Sequence, residues 1–124
     1  MAIRLGYLGL FVRDLTKATT HVRDGLGLVL NTEQSIAGQY AQFDLEGGGL
    51  ALFHAALAAA DGASYELGLL VDDIDGVFAT WKACGLSSDE AAPQEMPYGR
   101  TVRLRTPDGH PIRLIQPAPP SSQS

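Results

Sequence analysis

The residue types that most often carry out chemistry are few in this chain and widely spaced. There are three histidines, His21, His54 and His110, and one cysteine, Cys84. No two histidines have the H-x-x-x-H spacing of a helical metal site, and Cys84 has no assignable histidine or aspartate partner for nucleophilic catalysis. A single cysteine also excludes an internal disulfide and a cysteine-rich zinc site. We interpret all four as surface, turn or packing residues.

Two short motifs imitate known ligand sites but have the wrong context. Asp72-Asp73-Ile74-Asp75-Gly76 resembles a calcium loop, yet it lacks the alternating ligand spacing and the closing glutamate. Gly25-Leu26-Gly27 closes a predicted helix, whereas the glycines of a dinucleotide site open one. Helix capping explains both motifs better than ligand binding does.

The overall charge argues against nucleic acid as a partner. The 124 residues carry nine Lys and Arg against fourteen Asp and Glu, a formal net charge of −5. Proteins that bind a phosphate backbone depend on clustered cations instead. The apolar run over residues 5–12 is bracketed by Arg4 and Arg13 and is too short to span a bilayer. These features predict a cytoplasmic protein without nucleic-acid or membrane partners.

An internal repeat organises the whole chain. Residues 7–15, YLGLFVRDL, and residues 66–74, ELGLLVDDI, share five of nine positions at a constant offset of 59. Each segment alternates apolar residues as a strand with one core-facing side does. Each also reaches an aspartate, Asp14 or Asp73, that suits the N-cap of a following helix. The repeat therefore predicts two related modules.

The spacing of apolar residues predicts one strand, one helix and three further strands in each module. Helical stripes begin at Leu15 and at Ile74, and glycines follow both stripes. The three strand-like runs lie at 28–35, 39–46 and 50–54 in the first half, and at 88–95, 100–106 and 110–116 in the second. The predicted organisation is a first βαβββ module, a linker, a second βαβββ module and a disordered tail, over residues 1–54, 55–64, 65–117 and 118–124.

Two motifs relate this order of elements to a known group. The opening strand ends in V-x-D-L at Val12 to Leu15, and the chain closes on TPDGHPIRLIQ at Thr106 to Gln116. Together with the paired βαβββ modules, these motifs resemble the vicinal oxygen chelate superfamily, which includes glyoxalases, extradiol dioxygenases and bleomycin-resistance proteins. The resemblance implies an α+β fold in which two tandem βαβββ modules form cup-shaped mixed sheets. It also implies a homodimer with each site built across the interface.

The resemblance further implies where a metal ion would bind. In the metal enzymes of the superfamily, four inward-facing strand positions carry His, Glu or Gln, and the motifs align these positions with Tyr7, Ala51, Glu66 and Arg113. Alanine has no donor atom, neutral tyrosine binds divalent ions poorly, and arginine is cationic. We therefore expect no metal and no other cofactor, and we expect an ion pair of Glu66 with Arg113 instead. His54 is expected to face away from Ala51, although a register slip of one residue would turn it inward.

If the Leu and Val residues of the strands face the core, the alternate residues face a cavity. They combine aromatic rings with a few polar groups, as small-molecule pockets do. The predicted ligand-binding residues are Tyr7, Phe11, Tyr40, Gln42, Phe53, Glu66, Tyr98, Arg103 and Arg113. The alternative is that the arginines pair with acidic neighbours such as Glu66, Glu95 or Asp44, and that the rings simply fill space.

The leading functional hypothesis is a metal-independent protein that binds a small planar or aromatic molecule, as drug-sequestering members of the superfamily do, with no catalytic residue. The main alternative is a glyoxalase- or dioxygenase-like enzyme, or a metal-free isomerase that uses Tyr7, Glu66 or Arg113. A regulatory or interaction protein is a third class. The acidic net charge favours a cationic ligand at long range, whereas the cavity arginines favour a neutral or anionic one.

Overall fold

The computed structural model describes residues 2–57 and 64–119. Much of the predicted linker and of the predicted tail falls outside these ranges, so both stay predictions. The chain forms two compact units, Gly6–Leu67 (the first unit) and Met1–Leu5 with Gly68–Ser124 (the second unit). The boundary between the units therefore passes through the two strands that carry the repeat.

The elements confirm the predicted α+β class. In chain order, the first half contains β1 (Ile3–Val12), α1 (Leu15–Leu26), β2 (Leu30–Ile36), β3 (Tyr40–Leu45), β4 (Gly48–His54) and a single 3₁₀ turn (Ala55–Leu57). The second half contains β5 (Tyr65–Val71), α2 (Ile74–Ala83), β6 (Ser87–Ser88), β7 (Gln94–Met96), β8 (Gly99–Arg105) and β9 (Pro111–Pro117). Within residues 2–57 and 64–119, neither helix has the length and apolar character needed to cross a membrane.

In the first unit the strand order is β2-β3-β4-β1, with β1 parallel to β4 and the other pairs antiparallel. Because side chains alternate between the faces of a sheet, one face receives the apolar residues that contact α1. The buried centre of that core consists of Leu15, Ala41, Phe43 and Leu52. Leu10 and Val12 pack against it as predicted, but Leu8 is 44% exposed and lies outside it.

In the second unit β9 lies between β5 and β8, and β8 also pairs with the short strands β6 and β7. Its core contains the corresponding apolar residues of the repeat, Val71 and Ile74, together with Val102, Leu104 and Leu114. The repeat therefore specifies the same helix-on-sheet packing in both halves.

The predicted helix caps are confirmed. The Asp14 carboxylate accepts a hydrogen bond from the Lys17 amide at 3.0 Å, and the Asp73 carboxylate accepts one from the Gly76 amide at 3.1 Å. These aspartates satisfy amide groups that the first helical turn leaves without partners. The α2 amide of Ile74 donates instead to the side-chain oxygen of Gln116 at 2.9 Å. The closing motif therefore ties β9 to the start of α2.

Two strand boundaries differ from the prediction. The predicted continuous strand over 88–95 is wrong. Two short strands, β6 and β7, each pair with β8, and residues 89–93 between them form no strand. Pro93 has no amide hydrogen for a strand ladder, and the acidic residues at 89 and 90 bond β8 with their side chains. The predicted strands over 39–46 and 50–54 leave residues 47–49 as a hairpin loop, but the loop is shorter, since β4 already begins at Gly48 opposite Leu45. Gly47, at φ +79°, supplies the left-handed residue that this tight turn requires.

Candidate ligand-binding site

Four aromatic side chains meet on the sheet face of the first unit that points away from α1. The Phe53 ring lies at the centre, with ring centroids 5.8 Å from Tyr7, 5.4 Å from Phe11 and 5.8 Å from Tyr40. Strand register explains the cluster, because both Phe11 and Tyr40 stand directly opposite Phe53 on neighbouring strands. All four rings are half-buried and keep part of their surface accessible. We call these four residues the aromatic cluster.

A buried carboxylate adjoins the aromatic cluster. Glu66 is 2% exposed, and one of its oxygens accepts a hydrogen bond from the Tyr7 hydroxyl at 2.6 Å. The two residues occupy equivalent positions of the repeat, 59 residues apart, on β1 and β5. A short bond from a phenol to a carboxylate is stronger than one between neutral groups. The pair therefore fixes the direction of the Tyr7 side chain at one end of the cluster.

The absence of a side chain at Gly9 makes room for the cluster. A Cβ atom at this position would lie 2.5 Å from the Phe53 ring and 3.1 Å from the Tyr7 ring. Tyr7, Gly9 and Phe11 are each two positions apart along β1, so all three lie on the same face of the sheet. The rings therefore pack over the bare backbone of β1.

A second glycine provides space for the Gln42 side chain. A Cβ atom at Gly49 would lie 2.3 Å from the Gln42 amide nitrogen. Gln42 of β3 stands opposite Ala51 of β4. Two residues away on each strand, Tyr40 stands opposite Phe53, and their rings contact each other. The face thus carries a primary amide beside the rings. Sequence analysis placed Gly49 in a loop and assigned no role to Gly9; a glycine inside an apolar strand, which often marks a close approach, was the available signal.

In the second unit, the predicted Arg103 and its neighbour Arg105 on β8 contact acidic residues that sequence analysis missed. Arg105 makes two hydrogen bonds to the Asp89 carboxylate, at 2.9 and 3.0 Å. Arg103 is 8% exposed, and its guanidinium lies 3.6 Å from Oδ2 of Asp89, one of the two oxygens that Arg105 contacts. Glu90 accepts a hydrogen bond from the Arg103 amide at 2.8 Å. The hydrogen bond from Arg105, aided by both positive charges, lowers the pKa of Asp89 despite its partial burial.

The remaining predicted residues of the second unit differ in their surroundings. Arg113 stands opposite Arg103 on β9 and donates a hydrogen bond to the Thr101 hydroxyl at 3.0 Å. That hydroxyl in turn donates to the Leu114 carbonyl at 2.8 Å. Tyr98 lies in the turn before β8 and is 50% exposed. The ion pair between Glu66 and Arg113 stays a prediction.

The residues at the expected metal positions do not fit a divalent ion. Ala51 offers no donor atom, and the Tyr7 hydroxyl directs its hydrogen to Glu66. Within the described ranges, no three His, Cys, Asp or Glu side chains form a group able to hold a metal ion. The His54 imidazole accepts a hydrogen bond from the Ala56 amide at 3.0 Å. On β4, His54 follows Phe53 and stands opposite Val12 of β1.

Each half of the chain packs one helix on a mixed sheet, and the first unit carries an aromatic and carboxylate face on the side away from α1. A family model described as the Glyoxalase/Bleomycin resistance protein/Dioxygenase superfamily matches residues 4–114. The chain belongs to this superfamily, whose vicinal oxygen chelate fold the sequence motifs indicated. Comparison with curated proteins finds no match.

Solved structures share the fold at low sequence identity. The chain resembles an NAD-dependent benzaldehyde dehydrogenase from Legionella pneumophila, with a TM-score of 0.75, 19% identity, and coverage of 90% of this chain and 98% of that one. It also resembles a methylmalonyl-CoA epimerase from Mycobacterium tuberculosis, with a TM-score of 0.73, 22% identity, and coverage of 98% and 92%. A superfamily member from Vibrio splendidus 12B01 has a TM-score of 0.67, 16% identity, and coverage of 94% and 100%. These similarities establish the fold alone.

Proposed function

We propose that this protein binds a small planar, aromatic molecule without a metal ion and thereby sequesters it, as a cytoplasmic drug-binding protein. The observation that carries the proposal is the aromatic cluster around Phe53, with the Tyr7–Glu66 hydrogen bond at its edge. Sequestration requires a site that excludes water from a flat ligand. It requires no chemical step.

Half-buried rings favour a flat apolar ligand. Each added ring contact stabilises a complex by about 0.5–1.5 kcal/mol beyond the burial of area. The Gln42 amide beside the rings can donate and accept hydrogen bonds at the ligand's polar edge. A planar ring system with one polar edge therefore matches this face better than an aliphatic or highly charged molecule.

Metal independence is supported by the donor set. A neutral Tyr7 phenol that donates to Glu66 is a poor ligand for a divalent ion, and Ala51 cannot ligate at all. A site with one carboxylate binds a divalent ion weakly compared with the three or four ligands of a catalytic centre.

The cationic residues favour a ligand that is neutral or negatively charged. Arg103, Arg113 and Tyr98 belong to the proposed ligand-binding set, and the first two lie side by side across β8 and β9. Planar guanidinium groups can stack on aromatic ligands and donate hydrogen bonds to anionic substituents. A homodimer, in which a second copy completes each site, belongs to the same proposal, and light scattering at several protein concentrations tests it.

One observation favours a second function, a metal-free isomerase. A carboxylate that is 2% exposed and hydrogen-bonded to a phenol is a candidate acid–base residue. In such an enzyme, Glu66 would take a proton from a substrate carbon next to a carbonyl group and, after the planar enolate had turned over in the site, return the same proton to its other face, while the Tyr7 hydroxyl donated a hydrogen bond to the enolate oxygen. The fold similarity to a methylmalonyl-CoA epimerase is compatible with this chemistry.

Calorimetric titration distinguishes the proposals. Naphthol serves as a neutral planar probe, naphthoate as an anionic one, and a panel of aromatic antibiotics as ligand candidates. We expect saturable binding of planar compounds that Phe53→Leu weakens at least fivefold, whereas the matched variant Phe78→Leu, on α2 in the second unit, leaves it unchanged. Uniform absence of binding by the folded protein would contradict the binding function.

Two further measurements test the absence of chemistry and of metal. Elemental analysis of protein purified without chelators should give far less than one Fe, Ni, Mn or Zn per chain, and a stoichiometric metal would overturn metal independence. Incubation with acyl thioesters in deuterated water should show no exchange of the α-hydrogen. Exchange that Glu66→Gln abolishes would favour the isomerase instead.

A further inference from the structure

A separate groove lies between α1 and the β2–β3 hairpin of the first unit. Its volume is about 450 Å³, which falls in the range of small-molecule pockets. One wall is a stripe of α1 in which Thr16, Thr19, Thr20 and Arg23 follow one another at helical spacing. Of the four residues of the aromatic cluster, only Tyr40 also lines the groove. The groove therefore differs from the ligand-binding face proposed above.

An irregularity in β2 forms the opposite wall. The register of β2 against β3 shifts between the pairs Asn31–Gln42 and Ile36–Tyr40, so β2 contains three more residues than β3 over this stretch. One side chain holds the extra residues in place. The Ser35 hydroxyl donates to the Asn31 backbone carbonyl at 2.6 Å and accepts from the backbone amide of Gln42 at 2.9 Å. Bulges of this kind re-aim side chains and are common near functional sites. Here the bulge is a defined wall of the groove rather than loose chain.

The groove offers hydroxyl groups above an apolar floor. Leu15, Leu30 and Ala41 supply the floor, and six hydroxyl-bearing residues, four threonines with Ser35 and Tyr40, line the sides. In the part of the chain that the structure describes, the hydroxyls of Thr16, Thr19, Thr20 and Thr32 form no hydrogen bond with protein groups. Each such hydroxyl can donate one hydrogen bond and accept others. The walls can therefore satisfy a ligand that carries several polar hydrogens and oxygens.

The charge of the groove selects against ions. Arg23 is the one charged residue among those that line it, and its guanidinium is already hydrogen-bonded to Asp24 at 3.0 Å. A ligand carboxylate would have to compete with Asp24, and a ligand ammonium group would lie close to a cation. Burying either charge without a partner is unfavourable.

We propose that this groove is a second binding site, for a small neutral molecule that carries two or more hydroxyl groups on an apolar ring or chain. The apolar part contacts the leucine and alanine floor, and the hydroxyl groups exchange hydrogen bonds with the threonines of α1 and β2. This site does not depend on the binding of aromatic compounds by the cluster.

Titration followed by amide chemical shifts tests the proposal with three probes of one size. The probes are trans-cyclohexanediol, cyclohexanecarboxylate and the cyclohexylammonium ion. We expect saturable, millimolar binding of the diol, with shifts at Thr16, Thr19 and Thr32, and at least fivefold weaker binding of both ions. Comparable affinity for all three probes, or shifts centred on Phe53, would overturn the assignment.

Conservative variants connect the binding to the hydroxyl groups. Thr19→Val and Thr32→Val keep the shape of the side chain and remove its hydroxyl, and each should weaken diol binding about two- to tenfold, the value of one hydrogen bond. Thr80→Val makes the same change on α2 in the second unit and should leave the affinity unchanged. Equal affinity in native protein and both groove variants would refute the site, whereas loss of naphthol binding alone would concern only the aromatic cluster.

Discussion

The two units use the same helix-backed sheet but carry different chemistry on their strands. In the first unit, the residues next to Phe53 are rings packed over Gly9. In the second unit, β8 and β9 carry Arg103, Arg105 and Arg113, held by Asp89 and by a hydroxyl group. The apolar cores beneath the two helices correspond closely, with Leu10, Val12 and Leu15 in one and Leu69, Val71 and Ile74 in the other.

This difference indicates which parts of the repeat are tied to folding and which are free to diverge. Core positions must fill the space under a helix at native packing density, so both halves keep Leu, Val and Ile there. The alternate positions are not constrained by that packing. They can become aromatic in one half and ionic in the other while the topology is retained, and recognition of a ligand depends on them.

The largest expected effect concerns the ring at the centre of the cluster. Phe53→Ala removes contacts with three rings and should lower the free energy of unfolding by about 2–3 kcal/mol, less than for a fully buried ring. Urea denaturation measures the loss. The matched change Phe78→Ala, in a ring packed against the second core, should cost a similar amount of stability yet leave naphthol binding intact. A loss of binding in both variants would mean that the units do not differ in function.

Replacement of glycine by alanine should lower the free energy of unfolding at one position and raise it at another. Gly9→Ala puts a Cβ atom 2.5 Å from the Phe53 ring and should destabilise the protein by about 1–3 kcal/mol, because the rings must move. Gly25→Ala puts the same group on α1 with nothing within 4 Å. That change should stabilise the protein by about 0.5–1 kcal/mol through helix propensity. Thermal denaturation of both variants checks the contrast, and equal signs would contradict the close approach at Gly9.

The ionic network of the second unit should depend on pH. Asp89→Asn weakens the hold on Arg105 and Arg103 and should cost about 1–2 kcal/mol at neutral pH. The folded-state pKa of Asp89 is lowered, so its contribution is complete above the unfolded-state pKa of about 4 and declines as pH falls through the lower folded value. Denaturation between neutral and strongly acidic pH should therefore show the native and Asp89→Asn curves converging below about pH 4. Glu33→Gln, at an exposed residue of β2, serves as the control, and a constant difference at all pH values would contradict this role.

The smallest expected effect is at the end of the closing motif. Gln116→Ala removes the hydrogen bond to the Ile74 amide and should cost about 1 kcal/mol, typical of a lost helix cap. Gln94→Ala, at an exposed residue of β7, should change stability by less than about 0.5 kcal/mol. Denaturant titration compares the two. If they are equal, the cap contributes nothing measurable.

Much of the fold is readable from the chain because its signals are local. The V-x-D-L segments place a strand, a cap and a helix within a few residues, and Asp14 and Asp73 act as caps in both halves. The prediction was wrong where side chains far apart in sequence decide the backbone. Asp89 and Glu90 bend residues 89–93 because they bond groups on β8, a contact that periodicity does not encode.

The residues of the candidate site could be predicted only in part, because local signals show which face of a strand a residue is on but not which distant residues it contacts. Alternation along each strand identified Tyr7, Phe11, Tyr40 and Phe53 as residues of one face, and side-chain period two suffices for that inference. It does not indicate that Phe53 is the ring the others contact, since this depends on the register between β1, β3 and β4. Sequence analysis assigned no role to the threonines of α1, whose position in a groove wall depends on the register shift in β2.

By itself, the sequence determined that each half consists of a strand, a capped helix and further strands, and it determined the apolar faces and the superfamily, because these follow from short-range spacing and residue type. Only the tertiary structure decided which rings touch, that Tyr7 donates to Glu66, which carboxylates hold the arginines, and where the groove opens. Those features depend on strand register and close approach between residues tens of positions apart, and contact geometry of that kind forms only when the chain has folded.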